Sequence, residues 1–375
     1  MAIRPKITLP ALTPANKELF MSRFYSDIVR SISPYAPGEQ PKDRRFIKLN
    51  TNENPYPAAP SVVLAMHSVS GLEARLYPDP EAAALRRTLA DYHGLAMNQV
   101  FVGNGSDEVL AMAYPAFFNR TDSIAFPDIT YSFYPVYAAM YEIPSRVIPL
   151  AKDFTIDFTA YPQDIKGFLL ANPNAPTGIA VGAERIEALL RQRPNTLFIV
   201  DEAYIDFGGE SVVALTKSYD NLLVVQTMSK ARSLAGLRIG MAFGAPELIR
   251  GLESIRDSFN SYTLDVVAQR AAKAAYEDVP YFQQTRQAIM ATREKTVAAL
   301  RQMGMQVCPS SANFVFTTLP GVAGADVQQY LRENGVLIRR FAMERIKDWL
   351  RITIGLDEEM DEVIRLLQLF VQQPR

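Results

Sequence analysis

Residues 197–207 read LFIVDEAYIDF and residues 222–240 read LLVVQTMSKARSLAGLRIG. Each segment opens on a short apolar run, 197–200 and 222–226, and then turns abruptly polar. Runs this short and almost wholly apolar predict strands covered on both faces rather than half-exposed ones. The pattern recurs on either side, at 100–102, 123–125, 146–148, 167–170 and 239–243. Helical stretches separate the runs; one spans 81–94, with Leu85, Leu89 and Tyr92 at helical spacing and Gly94 as its C-cap. Strands interleaved with helices predict an α/β fold, a mostly parallel sheet with helices on both faces. Such sheets bind ligands beyond the carboxyl ends of their strands, so the polar residues after each run are the first place to look for function.

Farther out the pattern changes. From Pro246 to about Arg301 the periodicity is helical, and shorter segments follow at 313–317, 336–338 and 350–354 before a terminal helix at 357–372. This predicts a smaller α+β C-terminal domain. The N-terminal stretch carries Pro10, Pro14, Pro34, Pro37 and Pro41 and reads as an arm with one helix over 16–32. The expected organisation is an arm over 1–45, a large domain over 46–255 and a small domain over 256–375.

Composition narrows the function. Thirty-nine basic and 40 acidic residues leave a net charge of -1, which argues against a nucleic-acid partner. One cysteine, Cys308, and two separated histidines, His67 and His93, build neither a disulfide framework nor a Cys/His metal cluster, so no metal is expected. The start lacks the apolar run of a signal peptide, and no stretch approaches the roughly 20 apolar residues of a membrane span. The expectation is a reduced, soluble, cytoplasmic protein.

Three strand ends carry candidate chemistry. Asp201 leaves a fully apolar strand, where a carboxylate must be paired or hydrogen-bonded; a helix N-cap is the plainer alternative. Lys230 follows Thr227 and Ser229 and lies, with Arg238, between two buried runs; an amine so enclosed is suited to condense with a carbonyl. Gly103, Asn104, Gly105 and Ser106 lead from a strand into a helix, whose free N–H groups bind phosphate, and Ser229 and Arg238 add donors. Pyridoxal 5'-phosphate needs all three parts: a lysine for its aldehyde, a carboxylate for its pyridine nitrogen and a cradle for one phosphate.

With these residues in place, the chain resembles the fold-type I aminotransferases, and among them the histidinol-phosphate aminotransferase group. TMSKARSLAGLRIG (227–240) is similar to the family's lysine signature, and LNTNENPYP, RLYPDP, GNGSDE, NPNAPTG and VDEAYIDF follow the family's order. The resemblance implies that Lys230 carries the cofactor and shuttles a proton, that Asp201 pairs with the pyridinium, that Tyr204 hydrogen-bonds the ring's phenolic oxygen and that Tyr131 stacks on its face. It places the phosphate on Gly105, Ser106 and Asp107 with Thr227, Ser229 and Arg238, and has Tyr77 reach it from a neighbouring subunit. It therefore implies a homodimer with shared active sites. Where the family usually has asparagine before Pro-Thr-Gly this chain has Ala175, and Asn174 is expected to take over its contact.

For substrate, Arg351 of LRITIG resembles the family's carboxylate-binding arginine and Arg339 the residue that meets the histidinol-phosphate phosphate, with Tyr35 of SPYAP reaching the same phosphate across the dimer. The partners implied are a small-molecule amino donor, with L-histidinol phosphate leading, and a 2-oxo acid acceptor such as 2-oxoglutarate, with no membrane involved. The stretch RFAMERIKDWL (340–350) departs from the family's short glycine-containing loop. An aromatic amino acid aminotransferase or a same-fold decarboxylase is the runner-up, since Lys230 and Asp201 serve either outcome. A regulator built on such a domain would need a DNA-binding module, for which the arm is neither basic nor helical enough.

Overall fold

The computed structural model describes residues 22–33, 38–41 and 44–372. Its strands, in chain order, are β1 (Ile47–Leu49), β2 (Val100–Asn104), β3 (Ile124–Pro127), β4 (Ser145–Ile148), β5 (Gly167–Ala171), β6 (Leu197–Asp201), β7 (Leu222–Thr227), β8 (Ile239–Gly244), β9 (Gln306–Val307), β10 (Phe314–Thr318), β11 (Val336–Arg340) and β12 (Leu350–Thr353). Seven form one sheet in the order β2-β8-β7-β6-β5-β3-β4, in which only β8 runs antiparallel to its neighbours. The predicted apolar runs are these strands, displaced by a residue or two at their ends.

Both faces of this sheet are covered at its centre, which is why β5, β6 and β7 are apolar through their middles, whereas edge strand β4 carries Ser145, Arg146 and an exposed Val147. Along β6, Phe198 and Val200 join one core with Leu89 and Leu189, while Ile199 joins the other with Leu110 and Leu252. β7 alternates in the same way, Leu222 and Val224 against Leu223 and Val225. Each large apolar side chain so buried contributes about 1.5–3 kcal/mol. The helix at Ala83–His93 stops where expected, at Gly94 with φ +62°, a left-handed conformation that favours glycine.

The second sheet has the order β1-β11-β12-β10-β9, with β1 parallel to β11 and the other pairs antiparallel. It packs on the helices Val279–Gln302, Gly324–Glu333 and Asp357–Gln372 through Ile289, Leu300, Val327, Leu331, Val363 and Leu367. The cores do not part at the two boundaries drawn from sequence. β1 joins the small sheet, because the chain returning from the arm pairs with β11. The helix Val266–Glu277 packs on the large sheet, burying Ala268, Ala271, Ala272 and Ala275 in its core. Within the stretch expected to be helical at 16–32, the described helix covers Asp27–Ser31. No helix among the described residues is long and apolar enough to cross a membrane.

Candidate active site

The strand order brings the candidate residues to one edge of the large sheet. Gly105 follows β2, Lys230 follows β7, Asp201 ends β6, Asn174 follows β5 and Tyr131 follows β3, all at carboxyl ends. Arg238 precedes β8, and because β8 is reversed its beginning lies at the same edge: Ile239 pairs with Asn104 and Gly240 with Thr227. One antiparallel strand thus sets an arginine between the glycine turn and the lysine loop.

At the glycine turn, Gly105 has φ +80° and opens the helix Gly105–Phe117. A Cβ on Gly240 would lie 2.2 Å from the Gly105 carbonyl carbon and 2.3 Å from the Ser106 nitrogen, so only glycine lets the helix start press onto β8. The Arg238 guanidinium lies over Gly105 and donates to Asp107 Oδ2 (3.1 Å) and to Ser229 Oγ (3.4 Å). Ser229 and Thr227 are themselves joined, Oγ to Oγ1, at 3.0 Å. Helix N–H groups, an arginine and two hydroxyls converge there, a donor set suited to one phosphate.

Asp201 is buried beyond that cradle. Desolvation pushes its carboxyl up to about 7, against the Ala203 N–H that donates to Oδ1 at 3.1 Å and the Tyr134 hydroxyl that donates to Oδ2 at 3.3 Å. A carboxylate held this way at the sheet edge fits a pyridinium, whose positive charge would offset the desolvation. The adjacent Glu202 faces away and is also pushed up to about 7 by burial; it accepts from Ser211 Oγ, the Val212 N–H and Gln226 Nε2. The two carboxylates of the Asp-Glu pair therefore serve different faces of the strand.

Lys230 Nζ donates to the Thr51 carbonyl at 3.2 Å and lies 5.6 Å from the Tyr204 ring centre. The Tyr204 hydroxyl accepts from Asn52 Nδ2 at 3.0 Å. Tyr131 donates to Asp107 Oδ1, which fixes its ring beside the cradle, edge-on to Tyr134 at 5.7 Å between centres. Asn52 and Tyr134 had no place in the sequence reading. Tyr134 stands three residues after Tyr131 in TYSFY, one helical turn away, a spacing that could have suggested it. Asn52 acts on a tyrosine 152 residues distant, which no local pattern reports.

Asn174 is buried, and its amide is committed to the surrounding loops: Nδ2 donates to the Ile129 carbonyl (2.9 Å) and Thr177 Oγ1 (3.0 Å), and Oδ1 accepts from Thr130 (2.9 Å). Ala175 packs with Ala312, Phe314 and Tyr204, an apolar setting in which an asparagine side chain would be poorly solvated.

Arg339 and Arg351 face each other directly across the β11–β12 pair. Like charges in that register repel, an arrangement suited to an anion between them. Arg351 donates to the Asn50 carbonyl at 3.1 Å and lies between the Phe314 and Phe341 rings, 5.4 and 5.6 Å from their centres. Tyr35 lies outside the described residues. Tyr77 is 81% exposed and stacks on Tyr262 at 4.5 Å; Leu76, next to it in the chain, is exposed as well, as is Phe259, three residues before Tyr262. From the neighbouring Thr263, the carbonyl accepts from Asn104 Nδ2 at 3.3 Å, so this stacked pair adjoins the phosphate cradle.

The two-sheet fold and the lysine, carboxylate and phosphate cradle at one sheet edge define a class, and the chain belongs to it: residues 44–367 match the Aminotransferase class I and II family. The chain is 50% identical over 351 residues to histidinol-phosphate aminotransferase 1 of Bordetella parapertussis, covering 93% of this chain and 99% of that one. It is equally 50% identical, over 348 residues with the same coverages, to histidinol-phosphate aminotransferase 1 of Bradyrhizobium diazoefficiens. In fold it is similar to the crystal structure of histidinol-phosphate aminotransferase from Sinorhizobium meliloti in complex with pyridoxal-5'-phosphate, with a TM-score of 0.85, 23% identity and coverage of 94% of this chain and 98% of that one.

Proposed function

We infer that this chain catalyses histidinol-phosphate transamination with pyridoxal 5'-phosphate, passing the amino group to a 2-oxo acid such as 2-oxoglutarate. The observation that carries the substrate is the arginine pair, Arg339 opposite Arg351. In L-histidinol phosphate a phosphorylated hydroxymethyl group stands where an amino acid has its carboxylate. A phosphate dianion accepts charge-assisted bonds from both guanidinium forks, whereas a carboxylate satisfies fewer of those donors.

When bound, pyridoxal phosphate supplies a carbonyl for the amine and an electron-withdrawing ring. The chain's own groups do the rest in this reading. The Gly105–Asp107 helix start, Thr227, Ser229 and Arg238 hold the phosphate, Asp201 holds the proton on the ring nitrogen, and Tyr204 orients the phenolic oxygen with Asn52 behind it. Lys230 Nζ would hold the carbonyl of the bound group until a donor arrives, and would then serve as the base that takes the proton from the donor's Cα and carries it across the transferred nitrogen. The acceptor's carboxylates then occupy the arginine site in the second half of the cycle.

Arg339→Ala tests the substrate. Loss of charge-assisted bonds worth roughly 1.5–3 kcal/mol each should lower kcat/KM for histidinol phosphate on the order of 10²-fold. Turnover of phenylalanine or tyrosine should change little. A wild-type preference for those amino acids, with Arg339→Ala nearly silent, would move the chain to the aromatic aminotransferases.

In the same reading the enzyme is cytoplasmic and a homodimer, the dimer supported by the exposed, stacked Tyr77 and Tyr262. Unmixed Lys230→Ala and Tyr77→Ala proteins should each be weak. If sites are shared, mixing them equally and letting subunits exchange should restore about a quarter of wild-type activity, because half the dimers carry one intact site. A fully active monomer in sedimentation would end the proposal.

A further inference from the structure

The stretch that departs from the family's usual loop bridges the two halves of the molecule. Its far end is fixed to the small unit, where Asp348 Oδ1 accepts from the Gly324 N–H at 3.0 Å and the Asp348 carbonyl accepts from Thr318 Oγ1 at 2.8 Å. Its middle reaches the other way. Arg345 pairs with Asp128 at 2.6 Å and donates to the Leu150 and Ala151 carbonyls at 2.9 and 3.1 Å, all on loops of the large unit. Next to it, Ile346 is buried against Ile129, Leu150 and Phe154.

The start of this loop touches the proposed donor site, and its middle grips a segment that leads to the cofactor cradle. The loop begins at Phe341, directly after β11, and the Phe341 ring lies 5.9 Å from the Arg339 guanidinium and 5.6 Å from that of Arg351. On the large unit, the segment gripped by Arg345 and Ile346 continues from Ile129 and Thr130, both bonded to Asn174, into Tyr131 beside the phosphate cradle. Thus a single loop runs from the donor arginines to the Asp128–Ile129 segment, which leads two residues on into Tyr131 beside the cofactor cradle.

We propose that Arg345 is a positioning residue for donor binding: by tying the 341–349 loop to Asp128, it holds Phe341 against the Arg339–Arg351 pair and sets the distance from that pair to Tyr131. This deepens the proposed function and rests on its placement of the donor. The ion pair is half in solvent, 40% and 19% exposed, so its stability contribution is small and its value lies in registration. Planarity matters too, since one guanidinium fork engages a carboxylate and two carbonyls together.

The chain's single tryptophan, Trp349, reports on the loop directly. It stacks on Phe316 at 4.9 Å and meets Phe154 edge-on at 5.0 Å. The experiment compares wild-type holoenzyme with Arg345→Gln, Asp128→Asn, the double variant and Arg345→Lys. Asp128→Asn keeps an oxygen for the Leu150 N–H, which donates to Oδ1 at 2.9 Å. Each single variant is expected to raise KM for histidinol phosphate about tenfold, with kcat within about threefold, as for loss of binding registration. The double should be no worse than Arg345→Gln alone, because that variant already removes the Asp128 bond along with those to the two carbonyls. Trp349 emission should shift to the red in all three, and Arg345→Lys should recover part of the KM. An unchanged KM, additive losses, or a fall in melting temperature with KM and Trp349 emission unmoved would overturn the proposal. Should wild type prefer an unphosphorylated aromatic donor, the substrate reading fails while the same comparison, run on that donor, still decides the role of Arg345.

Discussion

Lys230→Ala is expected to lose activity by on the order of 10⁴-fold, the upper range for removing a positioned acid–base, and more if covalent attachment also matters. Lys230 Nζ lies at the sheet edge between the Thr51 carbonyl and the Tyr204 ring, with Asp201 on the neighbouring strand β6. Borohydride should fix the cofactor covalently to the wild-type chain and not to Lys230→Ala. Lys230→Arg should be as inactive, since a guanidinium stays protonated and cannot accept the donor's proton. A cofactor still fixed by borohydride in the alanine variant would remove Lys230 from the role.

Asp201→Asn is expected to slow the chemical step by on the order of 10²–10³-fold while leaving donor affinity nearly unchanged, as when a preorganised charge is removed from a buried site. The amide fills the same space and still accepts from the Ala203 N–H, but it carries no negative charge for a ring nitrogen. The same variant makes a prediction free of turnover. In the cofactor-free protein, burial first, then the weaker influences around it, holds the Asp201 carboxyl at about 7, above its ordinary 3.8. A folded-state value raised in this way means that the unfolded chain releases the proton first. The stability this group contributes is therefore complete below about pH 4 and is lost as pH rises through 7. The amide of the variant does not titrate in this range, so the melting temperature of cofactor-free Asp201→Asn should gain on wild type between pH 5 and pH 8. A constant difference would mean that the carboxyl is already ionised at low pH in the fold.

How much of this was legible depended on how local each cause was. A fully apolar strand ending in Asp201, and another ending in the Thr227–Lys230 turn, are local statements about burial followed by polarity, and the fold class follows from their repetition. The reversal of β8 is not local. Its residues read as one more apolar run, and only pairing with β2 and β7 turns its beginning, and hence Arg238, toward the site. The short β1 was equally hidden, because three residues carry no periodicity and their place is decided by a partner almost 290 positions away.

The amino-acid sequence by itself determined the alternating layers, the lysine, carboxylate and glycine turn, and the resemblance that joins them to one cofactor. It did so because burial on two faces and exposure at a strand end leave direct marks in neighbouring residues. Only the tertiary structure decided that Arg339 faces Arg351, that Asn52 supports Tyr204, that the Asn174 amide is committed to the loop at Ile129, and that Arg345 bridges the two units. Each of these is a contact between segments brought together by packing, where geometry in three dimensions, not spacing along the chain, sets which charges and hydrogen-bonding groups meet.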